Sequence, residues 1–195
     1  MMLSFPKIQQ HVIDKLEKGL SSTLTYHNVS HTLDVLQHVI EIAKQEGIVN
    51  EDDLFLLQVS ALYHDVGFLN IYSGHEEKSC LIAMDELTHF GFGKEEIDKI
   101  CGMIRATKVP QQPKTQLEEI ICDSDLDYLG RDDFFIIGEG LYKEFLIQKI
   151  VSNEREWNEL QVRFLENHHY FTNSSKKRRQ EAKQRNLEKV KAKLV

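Results

Sequence analysis

Ala61-Leu62-Tyr63-His64-Asp65-Val66-Gly67 closes an apolar run that begins at Leu54 and takes in Phe55, Leu56, Leu57 and Val59. Two ionisable side chains, His64 and Asp65, therefore stand where a buried helix ends. Taking a carboxylate and an imidazole out of water together costs several kcal/mol unless they are paired or hold a cation. A metal ion resolves that cost most simply; a capping Asp beside a core His is the plainer reading of the dipeptide on its own. Gly67, just after the pair, suits a helix C-cap that would fix where the two side chains point.

On both sides of this stretch apolar residues recur at spacings of three and four, and only Pro6, Pro110 and Pro113 interrupt the chain, which predicts an all-α fold. Upstream, a helix from Pro6 to Lys18 places Ile8, Val12 and Leu16 on one face with Leu20 beyond. Asn28 or Ser30 then caps a helix that carries Val35, Leu36, Val39, Ile42 and Ala43 to Gly47. Downstream, one helix runs from Glu76 to Phe90 and another from Glu95 to Lys108, broken by Val109-Pro110. Thr115 and Glu118 form a capping box for a segment through Ile120 and Ile121. Helices over 132–150 and 154–167 complete a single bundle spanning residues 1–173, and 174–195 is expected to be a basic C-terminal helix packed on the same domain.

The net charge of −7 conceals an asymmetry. From Lys176 onward nine Lys or Arg face only Glu181 and Glu188, so the preceding body is strongly acidic. Docking of the tail onto that body is the simplest account of it. An acidic body repels a polyanion, and the basic run has no aromatic residue on which a base could stack, so no nucleic acid is expected as a partner. No apolar stretch is long enough to cross a membrane, and Met1 to Lys7 lacks the basic-then-apolar layout of a signal peptide, so the chain reads as cytoplasmic with no membrane partner. Cys80, Cys101 and Cys122 are too few and too scattered for a disulfide framework or a zinc knuckle.

His31 falls in the first turn of its helix, in phase with Val35 and Val39. Asp123-Ser124-Asp125-Leu126-Asp127 alternates carboxylates as a calcium loop does, but an EF-hand needs Gly at its sixth place and Glu at its twelfth, where Tyr128 and Phe134 stand. Of the three, Asp125 follows Ile121 by four residues and Leu117 by eight, on the buried stripe. His31, His64, Asp65 and Asp125 are thus the inward-facing polar residues of three helices. Two imidazoles and two carboxylates suit one divalent ion, Mn, Fe, Ni, Co or Zn, with Mg the poorer fit, and leave positions open for water.

Tyr26-His27-Asn28-x-x-His31, then Leu62-Tyr63-His64-Asp65-Val66-Gly67, then Ser124-Asp125-Leu126-Asp127 resemble, in order, the motifs of the HD superfamily of metal-dependent phosphohydrolases. Gly74-His75-Glu76 resembles a His-Glu found after the second motif in many members, and Thr172-x-Ser174 with Arg178, Arg179 and Arg185 resembles a C-terminal helix of one branch. Members with two metals carry extra His residues where this chain has Arg105-Ala106-Thr107-Lys108, so one metal is expected. The resemblance implies an HD-type helical bundle whose ligands are His31, His64, Asp65 and Asp125. It implies hydrolysis of a phosphate ester of a small molecule, a nucleotide above all, by a metal-activated water. The alternative is a metal-containing nucleotide or metabolite sensor with little turnover.

In that chemistry Asp65, His75 and Glu76 are the candidate catalytic residues, His75 and Glu76 as proton donor or acceptor. A helix N-terminus with a favourable acidic residue is the plainer account of His75 and Glu76. Arg105, Thr107 and Lys108 are the candidates to meet phosphoryl charge, or else complement the end of their helix. His27 and Asn28 either orient His31 or cap its helix. Arg131 is expected to pair with Asp132 or Asp133, and the adjacent His168 and His169 to lie at the surface or behind a ligand. A small phosphorylated substrate is the expected partner, and a homodimer is compatible with the sequence.

Overall fold

In the computed structural model, which describes residues 4–195, nine α-helices follow one another: α1 (Phe5–Gly19), α2 (Val29–Gln45), α3 (Glu51–Tyr63), α4 (His75–His89), α5 (Lys94–Ala106), α6 (Gln116–Asp125), α7 (Phe134–Ile147), α8 (Glu154–Asn167) and α9 (Asn173–Ala192). Short 3-10 turns, Val66–Leu69 and Asp127–Gly130, follow α3 and α6. There is no strand among the described residues, and no helix of theirs is long and apolar enough to cross a membrane. Met1 to Leu3, part of the N-terminal stretch read for a signal peptide, lie outside the described residues.

Helix α3 is the axis of the larger core. Leu56, Leu57, Val59, Ser60, Ala61, Leu62 and Tyr63 are all buried, and a helix apolar around its whole circumference belongs inside a bundle. Helices α1, α2, α5 and α6 pack around it. Asn50 opens α3 by accepting from the Asp53 amide at 3.0 Å, so a polar cap stands at its solvent end and the apolar turns run inward. Ile8, Val12 and Leu16 of α1 and Val35, Val39 and Ile42 of α2 bury the faces that the periodicity predicts.

Gly67 is not the C-cap of α3. It sits inside the first 3-10 turn, its amide donating to Ser79 Oγ at 2.8 Å. A Cβ there would stand 2.0 Å from the His75 carbonyl oxygen, so the residue is small because the start of α4 crosses it.

A second core gathers Tyr26, Leu126, Tyr128, Leu129, Phe134 and Leu165 with Leu187 and Val190 of α9. The basic helix is docked by charge as well as by these residues. Arg178 and Arg179 both reach the fully buried Asp127, at 2.9 Å to Oδ1 from each, and Asn186 donates to the Leu129 carbonyl at 3.0 Å. Asp123, also fully buried, accepts from the Phe171 and Thr172 amides and from the Thr172 hydroxyl, at 2.9, 2.8 and 2.6 Å. Asp125 is therefore not alone in facing inward: all three alternate carboxylates are taken into the protein, and two of them tie down the C-terminal segment. Arg131 pairs with Asp133 at 2.6 Å and also with Asp34 of α2 at 2.8 Å.

His168 and His169 divide. His169 is exposed, whereas His168 ends α8 among Phe164, Tyr170 and the buried Lys183. Lys183 donates to the Leu165 and His168 carbonyls, closing the C-terminus of α8 with a cation. Burial, then the Lys183 charge, pushes the His168 pKa down to about 3.

Gly130 and His168 each give a measurable consequence. A Cβ on Gly130 would lie 2.5 Å from the Arg179 carbonyl oxygen, so Gly130→Ala forces α9 off the second 3-10 turn. Denaturant unfolding should show a loss of about 1–3 kcal/mol. A buried neutral His binds its proton more readily in the unfolded chain, so its contribution is whole above about pH 6.5 and is lost as the pH falls from there toward 3. Between pH 7 and 5, His168→Gln should have a shallower decline of unfolding free energy than wild type, by up to about 1.4 kcal/mol per pH unit.

Candidate metal centre

Three helix ends converge on one point. Asn28 caps α2, accepting from the amides of Ser30 at 2.9 Å and His31 at 3.2 Å, and so sets His31 in the first turn. His64 closes α3 and donates from Nδ1 to the Ala61 carbonyl at 2.8 Å, which leaves Nε2 as the free ring nitrogen. Asp125 is the last residue of α6.

Consecutive residues of a regular helix point about 100° apart, so His64 and Asp65 could not share a target within one. Asp65 leaves the helical region for φ −110°, ψ 5°, between α3 and the 3-10 turn, and its carboxylate swings beside the His64 ring. The pair needs the helix to end where it does.

His31 Nε2 lies 3.3 Å from His64 Nε2, 3.1 Å from Asp125 Oδ1 and 3.5 Å from Asp65 Oδ2. His64 Nε2 lies 3.2 Å from Asp65 Oδ2 and 3.6 Å from Asp125 Oδ1. Neighbouring ligands of an ion with bonds of about 2.1 Å stand roughly 3.0–3.4 Å apart in octahedral or tetrahedral arrangements, so these spacings match the edges of a coordination polyhedron. Asp65 Oδ2 is buried without a hydrogen-bond partner, as an oxygen reserved for a cation would be. The donor set fits a divalent transition ion. Burial disfavours a charged His64, yet the Asp65 and Asp125 carboxylates outweigh it and lift its pKa to about 9, so ion binding competes with a proton there.

His75, first residue of α4, holds the other oxygen of Asp65: its Nε2 is 3.3 Å from Oδ1 and 3.7 Å from Glu76 Oε1. Its Nδ1 donates to the Tyr72 carbonyl at 3.0 Å, and its ring stacks on Phe68 at 3.9 Å. Burial opposes charge on His75 as well, but Asp65 prevails and raises its pKa.

One residue absent from the sequence reading organises this neighbourhood. Glu144 of α7, its side chain fully buried, accepts from the amides of Tyr26 and His27 at 3.0 and 3.1 Å, from the Tyr72 hydroxyl at 2.8 Å and from His27 Nδ1. Burial works against its charge, and His27 and the two amides hold its pKa low. The available signal is a carboxylate set, beside Lys143, within the apolar stretch Leu141 to Ile147.

A cavity of about 920 Å³ opens on the centre and is lined there by Asp65, His75, Glu76, Asp125, Thr107 and Lys108. Arg105 stands apart from these: its guanidinium donates to Glu77 at 2.7 and 2.8 Å on the exposed surface, and it is not among the residues lining the cavity. Its helix turns that face outward. The Thr107 hydroxyl donates back to the Ile104 carbonyl at 2.8 Å.

The all-α bundle gathers a His, a His-Asp pair and a distant Asp at three helix ends, a donor set of the kind that holds a divalent ion. The HD domain profile matches residues 28–131, a little over half the chain, and the chain belongs to the HD-domain family of metal-dependent phosphohydrolases. The fold is also similar to the crystal structure of a predicted HD superfamily hydrolase from an uncultured Thermotogales bacterium, with a TM-score of 0.61 and 20% identity over 95% of this chain and 90% of that one. No protein of curated function matches the sequence.

Removing Glu144 should release the loop that carries His27. Glu144→Ala leaves two amides, an imidazole and a phenol without their acceptor, and unfolding experiments should show a loss of about 2–4 kcal/mol. Glu144→Gln, whose amide oxygen still accepts, should lose less.

Proposed function

We propose that the protein hydrolyses a phosphate ester of a small molecule at this centre, with His31, His64, Asp65 and Asp125 holding a single divalent ion. The observation that carries the reading is the orphaned Asp65 oxygen among donors spaced 3.1–3.6 Å apart at the end of an open cavity. A bound ion supplies Lewis acidity to a phosphoryl oxygen and makes water acidic enough to attack near neutral pH.

The remaining work falls to the chain. His75 sits on the cavity wall with Nε2 between Asp65 and Glu76, placed to pass a proton to a leaving-group oxygen or take one from water. By holding Asp65 Oδ1 it also fixes the direction of Oδ2. Lys108, exposed at the rim, offers the cation that Arg105 cannot, to meet charge on the transferring group. Nucleotides are one class of phosphate ester to set against others at this centre, and the acidic body favours a small molecule over a polymer.

Metal analysis by mass spectrometry, run beside a panel of phosphate esters, tests this directly. Wild type should hold about one equivalent of a transition metal and release phosphate; His64→Ala and Asp125→Ala should lose both. His75→Gln should keep the metal while kcat falls roughly 10²–10⁴-fold. Metal with no turnover of any ester would favour the sensor reading, and no metal after reloading with Mn, Fe, Ni, Co or Zn would overturn the centre itself.

A further inference from the structure

The cavity does not stop at the metal centre. It continues past Asp125 into an arm between the second 3-10 turn, α7 and α8, walled by Leu129, Leu141, Phe145, Trp157, Leu160 and Phe164. We infer that this arm receives an apolar organic group, so that the substrate is a phosphate ester of a hydrocarbon chain or ring and not of a polar sugar or nucleoside. The inference rests on the phosphohydrolase reading for its anionic end and on the arm for the rest.

Size and polarity both support it. A phosphoryl group occupies a small part of about 920 Å³, a volume within the range that accommodates drug-sized ligands. The polar side chains of the arm are few: Gln161 donates to Asn158 at 3.3 Å, Asn167 donates to the Arg163 carbonyl at 2.7 Å, and the Arg163 side chain is exposed at the rim. A ribose or nucleobase drawn into this arm would leave hydroxyls and ring edges unpaired, a penalty that an apolar group avoids. The aromatic wall is itself built: Trp157 stacks with Tyr142 at 5.8 Å and meets Phe145 edge-on at 5.7 Å. Helix α7 gives independent support. It is apolar along most of its length, yet only Phe134, Gly138 and Glu144 are buried, so Leu141 and Phe145 remain half-covered where they line the space.

Trp157 is the sole tryptophan, so its emission reads occupancy of the arm without any turnover. Metal-loaded protein would be titrated with methyl-, butyl- and octylphosphonate, which cannot be hydrolysed, and with a nucleoside 5′-monophosphate. The corresponding alkyl phosphates would be assayed for phosphate release. Octylphosphonate should shift the Trp157 emission and methylphosphonate should not, with affinity rising about three- to fourfold per methylene until the arm is filled. The ratio of kcat/KM for octyl over methyl phosphate should exceed about 10², and Leu141→Gln and Leu160→Gln, each checked for a native circular-dichroism spectrum, should flatten that dependence. Octylphosphonate binding without hydrolysis of any ester would sustain the apolar arm while removing the phosphohydrolase reading. Hydrolysis of the nucleotide with no gain from chain length would overturn the arm and leave the phosphohydrolase standing.

Discussion

One oxygen of Asp65, buried among imidazoles with nothing to donate to it, is the constraint from which the arrangement of the helices follows. A carboxylate so placed is tolerable only if positive charge is held beside it, and the groups that hold that charge must arrive from separate elements at spacings of a few ångströms. Helix ends meet this need better than helix middles, because the backbone there can depart from regular geometry and turn adjacent side chains to a common target. The start of α2, the end of α3 and the end of α6 are all used in this way. The buried inner turns of α3 keep its end from drifting, and a capping Asn begins both α2 and α3.

The same logic of satisfied carboxylates explains the C-terminal helix. Asp123 and Asp127 flank Asp125 in sequence but turn away from the centre, one toward the segment that begins α9 and one toward Arg178 and Arg179. Asp127 is neutralised by the two arginines and Asp123 is satisfied by the Phe171 and Thr172 amides and the Thr172 hydroxyl, so neither faces the cluster that Asp125 joins. The opposite charges of tail and body are thereby a folding device: α9 covers the back of the turn whose front carries the fourth donor. The buried Lys183 adds a cation over the open carbonyls of α8 and ties α9 to that end.

Much of this was legible beforehand, for reasons that can be named. Apolar spacing of three and four places Ile8, Val12, Val35 and Val39 on buried faces because helices bury stripes, and the four donors are visible because ionisable residues at the inner ends of such stripes need a purpose. What escaped the sequence were contacts between elements far apart in the chain. Glu144 is separated from His27 by more than a hundred residues, and its apolar neighbours in sequence do not say which partners it would meet. Gly67 looked like a helix stop because glycine commonly serves that role, whereas its reason is the passage of α4 across it. Arg105 looked available for phosphate because its pairing with Glu77 depends on how α4 and α5 lie together.

The position of Glu144 has a consequence for how such a protein could change its preferences. Helix α7 is moored near its C-terminal end by one buried carboxylate, while neighbouring side chains shape the wall of the arm. The candidate ligands His31, His64, Asp65 and Asp125 lie at the ends of α2, α3 and α6 and share none of those positions. Leu141, Phe145 and their facing residues on α8 can therefore be exchanged for larger or smaller ones while the ion's own ligands stay as they are. Lineages descended from this chain could alter the shape of what they accept while inheriting the reactive centre intact, provided the mooring at Glu144 is retained.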